Sequence, residues 1–303
     1  KVIPATVEIV DIPGLARGAN KGEGVGNQFL SDIRNTDALI HVLRCFDDEN
    51  LPHIDGSVDP VRDIETLNLE LQVKDLESVE KKIDRLSRVA KSGDKDARKG
   101  IEVLQQYKEH LEGFQNASTA PVREDDRRHI EDLFLLTDKP VLYVCNVDDA
   151  SAIDGNGYVE KVKEYLAEED PQILVLAGKL EAEIADLEPG DREEFLSDAG
   201  LTEPGVNKLV RAAYSMLDLM SFFTIGPKEI RAWTVRKGST APRAAGAIHS
   251  DLERGFIRAE VMKYDDFVSL GSEQACREAG KLFVEGKNYV VGDGDILHIR
   301  FNV

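Results

Sequence analysis

The sequence predicts an α/β chain: an open, doubly wound parallel sheet interrupted by a helical hairpin, followed by a small α+β domain. Three observations lead there. Short runs rich in Val, Ile and Leu, at Thr6 to Val10, Ala38 to Leu43, Val141 to Cys145 and Ile173 to Leu176, read as buried strands separated by helix-like stretches. Between the second and third runs, Leu69, Val73, Leu76, Val79, Ile83, Leu86 and Ala90, then Ile101, Leu104, Leu111 and Phe114, recur mostly at spacings of three, four or seven. Near residue 222 the charge balance changes: Phe222 to Val303 holds 12 Lys and Arg against 11 Asp and Glu, net +1, while the preceding 221 residues carry −20.

The apolar rhythm of the second region, broken only at Lys91-Ser-Gly-Asp94, predicts an antiparallel helical hairpin with solvated charged faces such as Lys81, Lys82, Asp84 and Arg85. After residue 222, strand-like runs at Ile230 to Val235, Phe256 to Val261, Tyr289 to Val291 and Ile296 to Phe301, with an Ala-rich helix at Ala241 to Asp251, predict a compact α+β domain.

Composition narrows the function classes. A net charge of −19 over 303 residues opposes non-specific adhesion to nucleic acid or anionic membrane by the chain as a whole, so any RNA contact must be a local patch and no DNA partner is expected. No apolar run approaches the roughly 18–20 residues of a membrane span, and the first residues lack the pattern of a signal peptide. The expectation is a soluble cytoplasmic protein, taken as a monomer. Cys45, Cys145 and Cys276 are widely spaced and odd in number, which predicts reduced thiols rather than disulfides or a metal cluster.

In doubly wound sheets ligands lie beyond the carboxyl ends of the strands, so the residues just after each run carry the functional expectation. Asp11-Ile-Pro-Gly14 offers what a nucleoside triphosphatase places opposite its phosphates: a carboxylate that holds magnesium, usually through water, and a glycine N–H that reaches the γ-phosphate. Gly18, Gly22, Gly24 and Gly26 follow, suited to a loop that orders on the γ-phosphate. A Pro-Gly turn closing a strand would look the same in isolation. Asn146-Val-Asp-Asp149 and Ala177-Gly-Lys179 fall where a purine base is held, through the Asn amide and backbone N–H groups. The order of the three motifs is what distinguishes them from chance. The phosphate loop G-x-x-x-x-G-K-[ST] does not occur in the sequence.

These residues resemble the Obg-like ATPases of the YchF type over the whole chain, through VEIVDIPGLARGANKGEGVGNQFLSDIRNTDALIHVLRCF, GSVDPVRDIETLNLEL, KEIRAWTV, GFIRAEV and the closing GDGDILHIRFNV. The resemblance implies a P-loop NTPase domain of Rossmann-like α/β fold at 1–61 and 121–221, a coiled-coil hairpin inserted at 62–120, and a TGS domain of β-grasp fold at 222–303. It also implies an N-terminal truncation of about sixty residues that would carry the phosphate loop and first switch.

Residue by residue, the resemblance makes Asp11 and Gly14 the pair that meets magnesium and the γ-phosphate. Leu15 stands where Ras-like GTPases place a water-positioning glutamine, and a leucine cannot hydrogen-bond water. The family's histidine on a mobile loop matches His53, between Pro52 and Gly56, as the catalytic group in place of that glutamine. Base contact falls to Asn146, Val147, Asp149, Ala177, Gly178 and Lys179. The family favours ATP and usually ends the first of these motifs in Glu; here Asp149 leaves a GTPase as an alternative, since its carboxylate suits guanine N1–H. Val147, replacing the lysine of GTPases, and the whole-chain resemblance keep ATP ahead. Potassium follows by resemblance as an accessory ion, its asparagine ligand falling in the upstream segment.

Arg231, Arg236, Lys237, Arg243, Arg254 and Arg258 cluster in sequence around Trp233 and Phe256, a mix suited to RNA phosphate and base contact. Aromatics in a core with cations as a solvated rim fit the residues equally well. The family's association with ribosomes selects RNA contact, with the ribosome and its rRNA as partner. A rival reading, motivated by the missing phosphate loop, is a non-hydrolysing ribosome- or RNA-binding module.

Overall fold

Strand β1 (Val2–Ile3) pairs in parallel with Ile230 and Arg231, more than two hundred residues away, so the first residues fold with the last part of the chain. The computed structural model describes residues 1–12, 32–169, 171–226 and 228–302. It divides into two compact units, Asp11–Ala212 and Lys1–Val10 with Ala213–Val303. The expected strand at Thr6 to Val10 is not formed: the segment is irregular, and Ile9 and Val10 are exposed. A strand is defined by its ladder rather than by its own apolar content, and no described strand lies along this segment.

In the unit Asp11–Ala212, β2 (Leu39–Arg44) leads to helix α1 (Pro60–Ala90) and helix α2 (Lys95–Glu112). Asp59 caps α1 by accepting from Arg62 N, and Pro60 opens it where no N–H is needed. The turn passes through Gly93, whose φ of +93° suits glycine, and Asp94 then caps α2 through Asp96 N and Ala97 N. Val79, Val103, Leu104, Tyr107 and Leu111 form the seam, confirming a hairpin. Each such fully buried side chain contributes about 1.5–3 kcal/mol.

The return segment is pinned to α1 by Asp75. Its buried carboxylate accepts from Leu136 N (2.7 Å), Thr137 N (2.8 Å) and Thr137 Oγ1 (2.7 Å). Burial pushes this carboxyl above its ordinary value, and the hydrogen bonds oppose that rise.

The chain continues through β3 (Val141–Asn146), α3 (Gly157–Tyr165), β4 (Gln172–Leu176), α4 (Gly178–Asp186), α5 (Pro189–Asp198) and α6 (Gly205–Met216). The sheet has the order β2-β3-β4, all parallel. Its register sets Arg44 beside Asn146 and Asn146 beside Leu176, so the three carboxyl ends form one edge. Leu43, Ile64, Tyr143, Cys145, Val159, Val162 and Ile184 build the core beneath it.

The second unit adds β5 (Leu219–Ile225), β6 (Ile230–Arg236), α7 (Ala241–Ile248), α8 (Ser250–Arg254), β7 (Phe256–Met262), α9 (Tyr264–Leu270), α10 (Glu273–Glu278), β8 (Phe283–Glu285) and β9 (Ile296–Phe301). The mixed sheet runs β1-β6-β5-β9-β7-β8. One face packs Phe222, Phe256, Ala259, Val261 and Leu297 against Ala244 and Ala245 of α7. The other packs Met262 and Ile296 against Phe267 of α9 and Cys276 of α10.

Two expectations change here. The helix at Ala241 to Asp251 breaks at His249, whose backbone is extended and whose Nδ1 accepts from Asp251 N at 3.1 Å to start α8. Tyr289 to Val291 makes only a single bridge, Val290 to Thr240, because the chain turns at Gly292, where Asp295 Oδ2 accepts the N–H at 2.8 Å. No helix among the described residues is long and apolar enough to cross a membrane.

Candidate functional site

At the carboxyl edge of the parallel sheet, two loops are tied by one side chain. Asn146, the last residue of β3, accepts from Gly178 N through Oδ1 at 2.9 Å, and Val147 N donates to Leu176 O at 2.9 Å. A Cβ on Gly178 would lie 3.0 Å from Asn146 Oδ1, so any side chain here would push the Asn146 amide back by a few tenths of an ångström. Val147 and Ala177 are buried and shape the floor. Asp148 is turned to its own loop, accepting from Ser151 N at 2.9 Å. Asp149 stays outward: its side chain is 47% exposed and faces Lys179 Nζ, itself 77% exposed, at 3.9 Å.

The structure thus brings Asn146, Val147, Asp149, Ala177, Gly178 and Lys179 to one edge. Glu181 belongs to the scaffold: both its oxygens accept from Gly205 N at 2.8 Å, fixing the start of α6.

Beneath this edge, Cys45 and Cys145 are buried and unoxidised. The shared S–H contact pushes the Cys45 thiol up and Cys145 down. His41 of β2 stacks on Tyr143 at 5.7 Å, and burial lowers its pKa to about 4, so the ring is neutral at physiological pH.

His53 lies in the loop from β2 to α1. Arg44 braces this loop by donating to Phe46 O (3.1 Å), Leu51 O (2.6 Å) and Asp48 O (3.4 Å). Gly56, at φ +78°, turns the chain back so that its N–H reaches His53 O at 2.9 Å. The His53 ring is only 15% exposed, with Nε2 3.2 Å from Asp63 Oδ2 and Nδ1 accepting from Asp55 N at 3.2 Å. That pattern places the proton of the neutral ring on Nε2, donated to Asp63. Arg62 closes the cluster, 3.3 Å from Asp63 Oδ1, 3.7 Å from Asp55 Oδ2 and 3.4 Å from His53 Nδ1.

His53, Asp55 and Asp63 have the donor types of a metal site, but a guanidinium already lies among them and makes this an ion-pair cluster. Asp63 was missing from the sequence expectation; its place one helical turn after the Asp59 cap was the available signal.

Asp11 is exposed and makes no ion pair among the described residues. Gly14, Leu15 and the glycines from Gly18 to Gly26 lie outside the described residues.

The expected RNA residues do not gather around Trp233 and Phe256. Phe256 is buried in the core; Trp233 is part-buried, donates from Nε1 to Thr224 Oγ1 at 2.9 Å and carries Arg231 stacked at 4.0 Å. Arg243 lies 3.9 Å from Glu253, and Arg254 pairs with Asp251. Arg236 and Lys237 end β6 and are exposed. Arg258 points from the opposite face of the sheet, because Ala259 and Val261 fill the core that Phe222 shares. Strand alternation divides what the sequence had grouped.

Arg258 instead neighbours Glu260, Arg277, His298 and Arg300, residues that no sequence motif had singled out. The signal was the alternation Arg258-x-Glu260 opposite His298-x-Arg300.

Comparisons with known proteins identify the relatives of this chain. The profile of the family named YchF-GTPase_C, described as "Protein of unknown function (DUF933)", matches residues 219–302. The "Ribosome-binding ATPase YchF" of Bacillus subtilis (strain 168) is 48% identical over 305 residues, covering 100% of this chain and 83% of that protein. The "Obg-like ATPase 1" of Rattus norvegicus is 43% identical over 310 residues, 99% of this chain and 77% of that protein. The solved structure of the Schizosaccharomyces pombe YchF GTPase superposes with a TM-score of 0.87 at 33% identity, covering 99% of this chain and 81% of that one. With identity running the length of the chain and a shared fold of sheet, hairpin and C-terminal domain, the chain belongs to the YchF family of Obg-like ATPases.

Proposed function

We propose that this chain is the body of a ribosome-associated, Mg²⁺-dependent nucleoside triphosphatase that prefers ATP to GTP and works in the cytoplasm as a monomer. The observation that carries the proposal is the Asn146 to Gly178 tie at the carboxyl edge of the sheet, which builds the base end of a nucleotide site. The names of the relatives, ribosome-binding ATPase and Obg-like ATPase, support the reaction and the partner. The working division keeps the hairpin at 62–120 between the two parts of a nucleotide-binding domain and ends in a TGS domain, with residues 1–10 and 213–221 moved from the nucleotide-binding domain to the TGS domain.

In this reading the Asn146 amide NH2, whose oxygen is taken by Gly178 N, and the N–H groups of Ala177 and Lys179 meet the purine edge. Asp149 decides between bases. Its carboxylate pairs with guanine N1–H and the 2-amino group, whereas adenine N1 is an acceptor and leaves it unmatched. Lys179 at 3.9 Å offers Asp149 another partner when adenine is bound. The GTPase alternative rests on that same exposed carboxylate.

His53 is the catalytic group. Held by Asp63 and Asp55 N, neither ring nitrogen is available to a water molecule, so the structure corresponds to a parked state. Release of the ring frees a nitrogen to take the proton of the attacking water as its oxygen bonds to the γ-phosphorus and the nucleoside diphosphate leaves. Asp11, exposed and unpaired among the described residues, suits a carboxylate that holds magnesium through water, together with Gly14. When bound, that ion neutralises charge on the β- and γ-phosphates. The potassium expectation stays with the upstream segment.

Titrating protein that carries the upstream phosphate-binding segment with fluorescent ATP and GTP in Mg²⁺ tests the base assignment. Tighter ATP binding, with a further shift toward ATP in Asp149→Glu, supports it. An unchanged base preference in that variant dismisses Asp149 as selector.

A further inference from the structure

We infer that the open end of the β7–β9 ladder binds an RNA backbone through Arg258, Arg277, His298 and Arg300, organised around the carboxylate of Glu260. The inference rests on the ribosome reading above and names the surface and chemistry of that contact.

Arg258 and Arg300 are direct cross-strand partners, and Glu260 and His298 are the next pair on the same face. Two arginines set opposite each other repel, so the arrangement needs a counter-charge. Glu260 supplies it: 9% exposed, it accepts from Arg300 Nε at 3.4 Å and Arg300 Nη2 at 3.3 Å. Arg258, Arg277 and His298 Nδ1 stand 3.9, 3.8 and 4.0 Å from the same carboxylate. Arg277 also reaches Glu273 at 3.2 Å. The Arg300 hydrogen bond, foremost, holds the Glu260 carboxyl below its ordinary value despite its burial.

The stoichiometry exceeds what a buried carboxylate requires. A carboxylate offers about four acceptor positions, while each guanidinium brings about five donors. The three guanidiniums stay about half exposed, at 53%, 52% and 47% for Arg258, Arg277 and Arg300. Their spare donors face solvent from a rigid sheet rather than from flexible loops, held by a common buried anchor.

In a chain of net charge −19, this is a place where arginines outnumber carboxylates. Planar guanidiniums match phosphate oxygens in pairs. A metal on Glu260, Glu273 and His298 is the competing reading, since their donor atoms lie within 4.8 Å of one another. The three guanidiniums already surround that carboxylate and repel a cation. Of the other cations expected from sequence, Arg231 stacks on Trp233, while Arg243 and Arg254 have acidic partners of their own.

The test is co-sedimentation of the full chain with purified ribosomes, and filter binding to naked rRNA, between about 50 and 200 mM salt. Arg258→Gln with Arg277→Gln leaves the closer Arg300 to Glu260 pair in place, and thermal melting verifies the fold of the variant. We expect at least ~tenfold weaker binding and a log K against log salt slope shallower by about two. Arg243→Gln with Arg254→Gln should change binding less than ~twofold. Loss on rRNA but no ribosome binding by the parent chain would retain this surface and remove the ribosome reading. Ribosome binding unaffected by Arg258→Gln with Arg277→Gln would overturn the surface alone. Binding to neither probe by the parent chain would overturn both.

Discussion

Asp63 and Glu260 each hold basic side chains, and the contrast between them separates the two units of the chain. Asp63, on the first turn of α1, holds Arg62 at 3.3 Å and receives one imidazole N–H at 3.2 Å from His53, in a loop turned by a glycine at φ +78°. Glu260 sits on a strand, more deeply buried, with three guanidiniums and an imidazole around it. The two hydrogen bonds on the His53 ring, one to Asp63 and one from Asp55 N, of net strength about 0.5–3 kcal/mol each, can be broken in each catalytic cycle. A buried carboxylate ringed by cations cannot, because freeing it would strand a charge. On the proposed readings, one carboxylate serves a moving part and the other a fixed surface, as a small-molecule reaction and a polyanion contact respectively require.

The largest expected effect on binding breaks the nucleotide side of this comparison. Asn146→Ala removes a base contact and the tie to Gly178 together. The expected loss in nucleotide affinity is about thirtyfold to a hundredfold, the scale of ~2–3 kcal/mol for a lost buried polar partner. Fluorescent-nucleotide titration measures it, and RNA binding by the same variant should not change.

Acid sharpens the comparison by acting on the units in different windows. His41, ordinarily near 6.5 and lowered to about 4, favours folding when neutral. Its unfolded form binds the proton first, so this stability is present above pH 6.5 and is lost as pH falls toward 4. The unit Asp11–Ala212 should lose about 2 kcal/mol by pH 5 through this residue, a loss removed in His41→Phe. Glu260, held below its ordinary 4.5, contributes stability that persists above that value and is lost only as pH falls below it. Calorimetry at pH 7 and pH 5 should therefore move one transition and leave the other. Equal shifts in both would reject the assignment.

The smallest effect concerns the latch. Asp63→Asn weakens the hold on Nε2 and should raise kcat by roughly two- to tenfold with KM unchanged, the span of a net 0.5–1.5 kcal/mol hydrogen bond. A fall in kcat would mean that Asp63 positions His53 for the reaction instead of parking it.

Much of this was legible in the sequence, for physical reasons. Parallel strands read as continuous apolar runs, which is why β2, β3 and β4 were visible, and the hairpin announces itself through its repeat and its break before the Asp94 cap. Asn146 and Gly178 were visible because short motifs at strand ends carry their chemistry locally. Thr6 to Val10 misled because a ladder is a property of two segments, and β5 was missed because the boundary was drawn at a charge shift inside it. Asp63 beside His53, and Arg277 beside Arg258 and Arg300, meet only through tertiary packing or cross-strand register. Grouping cations by proximity in sequence missed the face on which each one stands.

The central claim is that His53 performs the hydrolysis that the base site prepares. Single-turnover ATP hydrolysis by His53→Ala, in protein carrying the phosphate-binding segment and saturated with Mg²⁺, addresses it directly. The account predicts a rate lower by about 10²–10⁴ with the dissociation constant for ATP unchanged, the range of general acid–base catalysis. A hydrolysis rate equal to that of the parent protein would contradict it.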